Sequence, residues 1–484
     1  MNRRNIYTLH GLHCVGLCAW LLAGCSRPAA DNRAALVCTS LAVDNQVWLA
    51  REPATVAMKF TKMQRGWYEW LRGTAVLFWA DATGPTVWNR PTAFGDFASS
   101  NVRVVGDPHV ENLGSFRASD GTMFADWNDL DANGYAPYWI DARRLALTII
   151  AAVTSATAAI DTVLLADVSH AVAAGYVEQI TALANGAAPL VLGIGVDPLF
   201  DKLLDKAQRD GAALRRLNEI APVVNAQRRI GFGPQEPTAD DGVVENELTG
   251  MGAPAEAAMA TIIESWRVTT VPPLSAAAAT IKGMRRRLGA GVASYPALRY
   301  YVLLEGPTAA LDDDLVVEIK ESRDGIFVAQ PTTFHPLPWQ SNGERVATGQ
   351  RLAQGYPNGD PLLGWAQLGP QSYRVVSRTG FQRGLNASDI ADLLEKGATG
   401  RTQLLRVANL MGQVLARAHG QAPTAAGVPG YMAVAPLLIG HAADFGDEVA
   451  AFVAAYAPRS RQDFLDASSN ELTECAMRAK GPLP

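Results

Sequence analysis

The sequence predicts an α+β protein with a large, mainly helical part and a smaller antiparallel sheet. Two short apolar runs, residues 102–105 and 123–125, are typical of buried strands. Residues 298–304 and 314–320 indicate two further strands joined by a hairpin loop, and long stretches elsewhere have helical character. With 484 residues, of which 48% are hydrophobic and 18% charged, the chain has ample material for a core of two or three domains.

The first segment, residues 1–24, is predicted to be a lipoprotein signal peptide. Arg3 and Arg4 form a basic start, a short apolar run follows, and small residues lead up to Cys25. This ending resembles the lipobox of bacterial lipoproteins, which implies cleavage before Cys25 and attachment of lipid to its sulfur. Ser26 in the next position implies an outer-membrane anchor that faces the periplasm. An ordinary signal peptide or a short anchor helix is the alternative, although the apolar run is short for a transmembrane span.

Residues 25–50 are predicted to form a tether, because much of this segment is rich in Ala, Asn and Arg. Beyond Cys25, the cysteines of the mature chain are Cys38 and Cys475. In an oxidising compartment these two would form a disulfide that ties distant parts of the chain together, and two separate thiols are the alternative. The net charge of −5 gives no reason to expect nucleic acid as a partner.

The most informative stretch lies between residues 105 and 131. Seven polar side chains fall at the ends of the two apolar runs and in the loops between them: Asp107, His109, Asn112, Asp126, Asn128, Asp129 and Asp131. A rigid frame of strands can direct such loop residues at a ligand. Carboxylate and amide oxygens suit Mg²⁺ or Mn²⁺. A plain turn is the alternative for each motif alone, because Asp, Asn and Gly commonly form turns.

The spacing inside this stretch indicates phosphoryl transfer. Asp107 and Asn112 are separated by the gap that joins the catalytic Asp and the metal-binding Asn of protein kinases. The form Gly-Asp-x-His-x-x-Asn also resembles aminoglycoside and choline kinases, and the later Asp126 resembles their metal-binding Asp. The resemblance implies that Asp107 accepts the proton of the attacking hydroxyl and that His109 orients the loop. It also implies that Asn112 and Asp126 bind the metal ion.

Residues 51–280 are predicted to form the mainly helical lobe that carries these motifs. Asp141 is a suitable N-cap for the helix that follows, and the chain beyond it is mostly helical, with a break near residues 186–198. Residues 225–254 are rich in Gly, Pro and acidic side chains, which predicts a long surface loop. Residues 381–484 are predicted to form a C-terminal helical segment.

Residues 281–380 are predicted to form the small sheet lobe. A turn with Gly289 and Gly291 leads into a strand, a hairpin loop and a second strand that ends near Lys320. This arrangement resembles the phosphate-covering loop and the lysine-bearing third strand of a kinase. Glu344, at the start of a following helix, is either the acid that pairs with Lys320 or an exposed residue that favours the helix dipole.

Two features depart from the kinase pattern. Kinases place a small apolar residue two positions before the lysine to hold adenine, whereas this chain has Glu318. The motif stretch also precedes the lysine-bearing strand, so a kinase-like two-lobed fold would be circularly permuted if both assignments hold. Such an order is allowed, because a site is recognised by its geometry and not by chain order. If one assignment fails, Lys320 is the residue to give up.

The pattern as a whole resembles the bacterial DUF2252 family, which is grouped with protein-kinase-like folds. The resemblance covers about residues 55–425. Six pieces carry it: residues 70–73, 106–114, 126–131, 317–322, 349–352 and 415–419. Because no activity is established for that family, the resemblance implies a fold more than a reaction.

Three functions follow as hypotheses. The first is a kinase-like phosphotransferase of the cell envelope that uses Mg²⁺ or Mn²⁺ and a nucleotide such as ATP, with Lys320 and the Gly289–Gly291 loop at the phosphates. Its phosphoacceptor would be a small molecule or a protein. The second is a binding or scaffold lipoprotein without catalysis, because free ATP is scarce outside the cytoplasmic membrane and Glu318 occupies the adenine position. The third is metal-dependent hydrolysis of phosphoesters by the same carboxylates.

Overall fold

The computed structural model describes residues 30–155, 157–236, 239–324, 339–356 and 359–478. The predicted signal peptide and Cys25 lie outside these residues. The described chain is α+β, which confirms the predicted class, and its sheets are antiparallel. One large hydrophobic core lies among the helices, and a smaller one lies against the largest sheet. None of the described helices combines the length and apolar content needed to cross a membrane.

The chain begins with four helices that pack into the large core. They are α1 (Ala30–Arg51), α2 (Pro53–Met63), α3 (Trp67–Gly73) and α4 (Ala75–Thr83). The structure corrects the predicted tether at residues 25–50, because α1 occupies most of it. Val37, Leu41 and Trp48 are buried at helical spacing along one face of α1. The tether was predicted from composition, which does not show that the apolar residues of this segment lie on one helical face.

Four short strands frame the polar stretch. They are β1 (Asn101–Val104), β2 (Leu113–Arg117), β3 (Met123–Trp127) and β4 (Gly134–Pro137). β1 pairs with β4, and β2 pairs with β3, in both cases antiparallel. All residues of β3 are buried. The two strands predicted from the apolar runs are therefore confirmed. Asp126 lies within β3, and the other polar residues of the stretch follow β1 or β3.

A helical layer follows these strands in the chain. It contains α5 (Tyr138–Val153), α6 (Thr162–Ala184), the short strand β5 (Leu192–Gly193), α7 (Pro198–Ala212) and α8 (Arg215–Ile220). β5 lies in the expected break between helices and extends the β2-β3 sheet. This layer therefore supports the β3 side of the polar stretch.

The largest sheet has seven strands and is preceded by a small hairpin, β6 (Val223–Val224) and β7 (Gln227–Arg228). In chain order its strands are β8 (Gly233–Pro234), β9 (Glu247–Thr249), β10 (Ile281–Leu288), β11 (Arg299–Leu304), β12 (Leu315–Ser322), β13 (Gly364–Leu368) and β14 (Gln371–Ser377). Across the sheet the order is β13-β14-β12-β11-β10-β9-β8. Residues 225–254, predicted as a surface loop, therefore supply two strands at one edge.

Two helices pack against this sheet, α9 (Ala253–Arg267) and α10 (Asn342–Ala353). On β12, Leu315, Val317 and Ile319 belong to the apolar core together with α9. The alternation of a strand then puts Glu318 and Lys320 on the opposite face. The predicted sheet lobe begins at residue 281, but α9, which packs on the sheet, lies before that residue.

Five more helices complete the described chain: α11 (Ala387–Leu394), α12 (Gly397–Gln421), α13 (Gly430–Leu438), α14 (Ala442–Asp466) and α15 (Ser469–Arg478). α12 packs closely along α6, since a Cβ on Gly175 would lie only 2.0 Å from the carbonyl oxygen of Asn409. α15 packs against α1. A disulfide joins Cys475 on α15 to Cys38 on α1, with their Cα atoms 5.7 Å apart.

We expect this disulfide to stabilise the folded chain by about 2–5 kcal/mol, because it restricts the unfolded chain over a long loop. The double variant Cys38→Ser with Cys475→Ser should lose that free energy of unfolding in a guanidinium titration followed by tryptophan fluorescence. Wild type and variant compared under a reductant are the control, and their curves should coincide there. Equal stability of the two proteins under oxidising conditions would contradict the prediction.

Candidate functional site

The turn that carries Asp107 is held in place by a buried carboxylate. Gly106 follows β1 with a φ of +88°, and a Cβ there would lie 2.1 Å from the carbonyl oxygen of Ala132. Glycine is therefore required at this position. The carboxylate of Asp141 accepts hydrogen bonds from the backbone N–H groups of Val105 and Gly106 at 2.8 and 3.1 Å.

Asp141 is anchored by a buried histidine and does not cap its helix. The predicted N-cap role is wrong, because α5 begins at Tyr138 and Asp141 lies within its first turn. Nε2 of His419, on α12, lies 3.1 Å from Oδ2 of Asp141, and the hydroxyl of Tyr176 lies 2.8 Å from Nδ1 of that histidine. This chain of contacts connects the turn to α6 and α12, in the large core.

Asp107 lines a pocket of about 90 Å³ and has one oxygen engaged. Arg144 donates from Nε and Nη2 to its Oδ1 at 2.8 and 2.5 Å. Its other oxygen, Oδ2, lies 4.0 Å from Nε2 of His109. Burial raises the pKa of Asp107, and the Arg144 guanidinium opposes that rise. A carboxylate with one oxygen fixed and the other left for a substrate hydroxyl suits a general base.

His109 and Asn112 line the same pocket and stabilise the turn. Nδ2 of Asn112 donates to the backbone oxygen of Asp107 at 2.8 Å, so the side-chain oxygen is the atom that would ligate a cation. Nδ1 of His109 lies 3.3 Å from the hydroxyl of Tyr68. Burial, together with Arg72 and Arg144, holds the pKa of His109 well below its usual value, which keeps the imidazole neutral.

The structure corrects the metal role predicted for Asp126. This carboxylate is fully buried and forms an ion pair with Arg417 on α12. It also accepts hydrogen bonds from the backbone N–H groups of Trp127 and Gly355 at 2.8 and 2.9 Å. Because these partners use both of its oxygens, Asp126 joins β3 to α12 and is not available to a ligand.

Two other carboxylates, Asp129 and Asp131, lie in the loop that follows β3. Both follow β3 and line the Asp107 pocket. Both form ion pairs with Nζ of Lys320 on β12, and the Asp129 distance is 3.0 Å. Burial alone would raise the pKa of Asp129, but Lys320 and Arg374 hold it below its usual value. The polar stretch and the distant lysine therefore share one site.

The loop between β10 and β11 forms a wall of the Asp107 pocket. Gly289 and Gly291 both have a φ of +77°. A Cβ on Gly289 would lie 2.2 Å from the carbonyl oxygen of Val244, so this glycine allows a close approach of two backbones. Gly291 lines the pocket itself. Of the predicted glycine pair, Gly291 faces the site and Gly289 shapes the loop that leads to it.

Glu344 does not contact Lys320, so the first of its two predicted alternatives, pairing with that lysine, is corrected. It lies in the first turn of α10 and accepts a hydrogen bond from the backbone N–H of Gln340 at 2.7 Å. Ser341 caps the same turn by accepting from the backbone N–H of Glu344 at 3.2 Å. Glu344 thus agrees with the second predicted alternative, a glutamate near the N-terminus of a helix, where its charge favours the helix dipole.

A second pocket, of about 190 Å³, adjoins the first and shares Asp129 with it. Its lining carries five cationic side chains: Arg299, Lys320, Arg374, Arg378 and Arg383. Three acids, Asp129, Glu318 and Asp360, accompany them. The site is therefore divided into an acidic half near Asp107 and a basic half against the sheet.

Glu318 lines the second pocket and is surrounded by arginine side chains. It is fully buried and forms ion pairs with Arg378 at 2.7 Å, Arg287 at 2.8 Å and Arg299 at 3.5 Å. Burial would raise the pKa of Glu318, but the three guanidinium groups hold it well below its usual value. The position expected to contact adenine thus holds an ionised carboxylate among arginines.

The residues present fit a divalent cation that is completed by a substrate. Within the described ranges, no group of three His, Cys, Asp or Glu side chains could hold a metal ion by itself. Mg²⁺ often uses one or two carboxylates and takes its other ligands from water and phosphate. Asp129 and Asp131 can supply those carboxylates, and Oδ1 of Asp131 is buried without a hydrogen-bond partner in the described part of the chain.

Several site residues were missed from the sequence. Asp129 and Asp131 were noticed as part of the acidic stretch, but no role was given to them. The end of the buried strand was the available signal for their role, because β3 ends at Trp127. Asp126 is thus inside a buried strand, whereas the later carboxylates lie in the loop beyond it. Arg144 and Arg374 gave no local signal, since each acts on a partner far away in the chain.

We expect Asp126→Ala to destabilise the protein by about 3–5 kcal/mol, because it leaves the Arg417 charge buried without its partner. Thermal and chemical denaturation of the purified variant would measure this loss. Asp205→Ala, which removes an exposed carboxylate on α7, is the control and should leave the stability unchanged. A variant with wild-type stability that has lost metal binding would instead restore the predicted metal role.

Comparison with known proteins identifies a family. A family model described as an uncharacterized protein conserved in bacteria, DUF2252, matches residues 51–468 of the 484-residue chain. No curated protein and no solved structure matches the chain. The matched range contains the Asp107 turn, the loop with Asp129 and Asp131, and Lys320. It also contains all lining residues of the two pockets except Asp44. On the extent of this match, the chain belongs to the DUF2252 family.

Proposed function

We propose that this protein is a kinase-like phosphotransferase that depends on Mg²⁺ or Mn²⁺. The observation that carries the proposal is the contact of Lys320 with Asp129 and Asp131, beside the turn that holds Asp107 and Asn112. Phosphoryl transfer requires a base, a metal site and a cation for the phosphates in one cleft. Asp107, Asp129 and Lys320 would supply these three components here, and the last two are 191 positions apart in the chain.

Each residue has a distinct role in this proposal. Asp107 accepts the proton of the attacking hydroxyl through Oδ2, while Arg144 fixes its other oxygen. Asn112 and Asp129 bind the divalent cation, and Asp131 contributes a further oxygen. Lys320 would then exchange part of its contact with the two carboxylates for contact with the phosphates, which is the role of the strand lysine in kinases.

The kinase-like arrangement in two lobes, with the lobes in permuted order, is part of the proposal. Three features support it: Lys320 lies on the third strand of the β10-β11-β12 series, α10 follows that strand, and β13 and β14 come next. The loop from β10 to β11 brings Gly291 to the pocket, as a phosphate-covering loop requires. The turn with Asp107 precedes all of these elements in the chain.

We place this activity in the bacterial cell envelope, with a lipid on Cys25 as the anchor to the outer membrane. The Cys38–Cys475 disulfide supports an oxidising compartment, since disulfides are rare in cytosolic proteins. The phosphoacceptor would then be a small molecule or a protein that reaches the periplasm.

A non-catalytic binding or scaffold role is the second candidate, and one observation favours it. The ammonium of Lys320 is already paired with two carboxylates, and Glu318 is enclosed by arginines, so the site is neutralised internally. In that case the ion pairs would simply hold the sheet to the helical part. The two experiments that follow separate this role from catalysis.

We expect Asp129→Asn to weaken Mn²⁺ binding by at least about tenfold, because one anionic ligand is lost. Electron paramagnetic resonance of free Mn²⁺ during a titration of the full-length chain would measure the affinity. Asp205→Asn, on the surface of α7, is the matched control and should bind like the wild type. A wild-type chain that binds neither Mn²⁺ nor Mg²⁺, with or without ATP, would contradict the proposed function.

We expect Asp107→Asn to slow the release of phosphate from bound Mg-ATP by about 10²–10⁴-fold, since general base catalysis commonly contributes that much. Binding of Mn²⁺ should change little, because the metal ligands remain. A sensitive phosphate assay on the purified chain would check the rate. If wild type and variant release phosphate equally slowly from ATP and from inorganic tripolyphosphate, the scaffold role is favoured instead.

A further inference from the structure

Three buried cations stand side by side on one face of the sheet. In the strand register, Arg299 on β11 lies opposite Lys320 on β12, and Lys320 lies opposite Arg374 on β14. Their exposures are 7%, 1% and 4%. Like charges that face each other across strands destabilise a sheet. Asp129, Asp131 and Glu318 offset part of this repulsion through ion pairs with the row. A bound polyanion would offset the remainder, so the row has the properties of a site for several negative charges in line.

The unused hydrogen-bond donors of this pocket support an anionic ligand. Nε of Arg374 and Nε of Arg378 are buried without a partner in the described part of the chain. Guanidinium groups match phosphate oxygens well, because they offer several donors in a fixed plane. The pocket therefore offers phosphate groups both the charge of the row and unused donors from Arg374 and Arg378.

The same pocket is poorly suited to a nucleobase. Phe116 and Val376 are the apolar side chains of the described lining, and charged or polar groups dominate the remainder. Sites for planar organic groups are mostly apolar. Glu318, at the position expected to hold adenine, is bound to Arg287, Arg299 and Arg378. A base could enter there only by breaking buried ion pairs.

We propose that the phosphate donor is a compact oligophosphate without a nucleobase, of the class of inorganic pyrophosphate and tripolyphosphate, held by Arg299, Lys320 and Arg374. This inference rests on the proposed phosphotransferase function and specifies its donor. The acceptor oxygen forms a bond to the terminal phosphorus while the bridging P–O bond breaks. The hydroxyl proton passes to Asp107, and the shortened oligophosphate leaves with the electron pair of the broken bond.

Calorimetric titration of the full-length chain in Mg²⁺ with tripolyphosphate, ATP and adenosine tests this proposal. We expect tripolyphosphate to bind at least as tightly as ATP and to displace it, and we expect adenosine not to bind. Arg374→Gln should weaken tripolyphosphate binding by about 10–100-fold, the usual effect of one hydrogen bond to a charged group. Arg401→Gln, which removes a surface arginine outside both pockets, should leave the affinity unchanged.

The possible results distinguish failure of the proposed donor from failure of the proposed phosphotransferase function. Tight binding of ATP with no binding of tripolyphosphate, whether or not adenosine binds, overturns the proposed donor and leaves the phosphotransferase function standing. Failure of both phosphate compounds with Mg²⁺ and with Mn²⁺ overturns the donor and the phosphotransferase function together. The competition between ATP and tripolyphosphate needs no variant, so it decides the question even if Arg374→Gln lowers the stability.

Discussion

The ion pairs of Lys320 with Asp129 and Asp131 are the interaction on which the arrangement of the site depends. They join the sheet to the loop after β3, so they set the position of one wall of the cleft relative to the other. A lysine that is 1% exposed is tolerated only because anions surround it. The same contact also places the cation proposed to bind phosphate next to the two carboxylates proposed to bind metal, so packing and proposed chemistry rely on one set of atoms.

The surroundings of Lys320 are supported from the N-terminal side by α1. Glu321, the next residue on β12, accepts hydrogen bonds from Trp48 and from Arg51, the latter at 2.7 and 2.8 Å. On the same helix, Asp44 forms ion pairs with Lys59 at 3.0 Å and with Arg323 at 2.7 Å. The helix thus contacts both the strand that bears the lysine and the large helical core. A segment predicted to be only a tether contributes to the geometry of the cleft.

Local sequence patterns predicted the parts of the site that are formed locally. The buried runs around residues 102–105 and 123–125 and the spacing of Asp107 and Asn112 are properties of short segments. They predicted two of the strands and a pair of residues that line one pocket. The assignment to Asp126 failed because its partner, Arg417, lies 291 residues away, and no short pattern shows that this carboxylate is already paired. The alternative that paired Glu344 with Lys320 failed for a similar reason, since the partners of Lys320 come from a loop far earlier in the chain. Charge pairing between distant segments was the information that local patterns lacked.

The position of the disulfide has a consequence for the order in which the molecule matures. Cys475 emerges from the ribosome 437 residues after Cys38, so oxidation of the pair must wait until both cores have been synthesised. Until then α1 is held only by noncovalent packing, and its support of the lysine strand is reversible. Once it has formed, the covalent link holds α1 and α15 together.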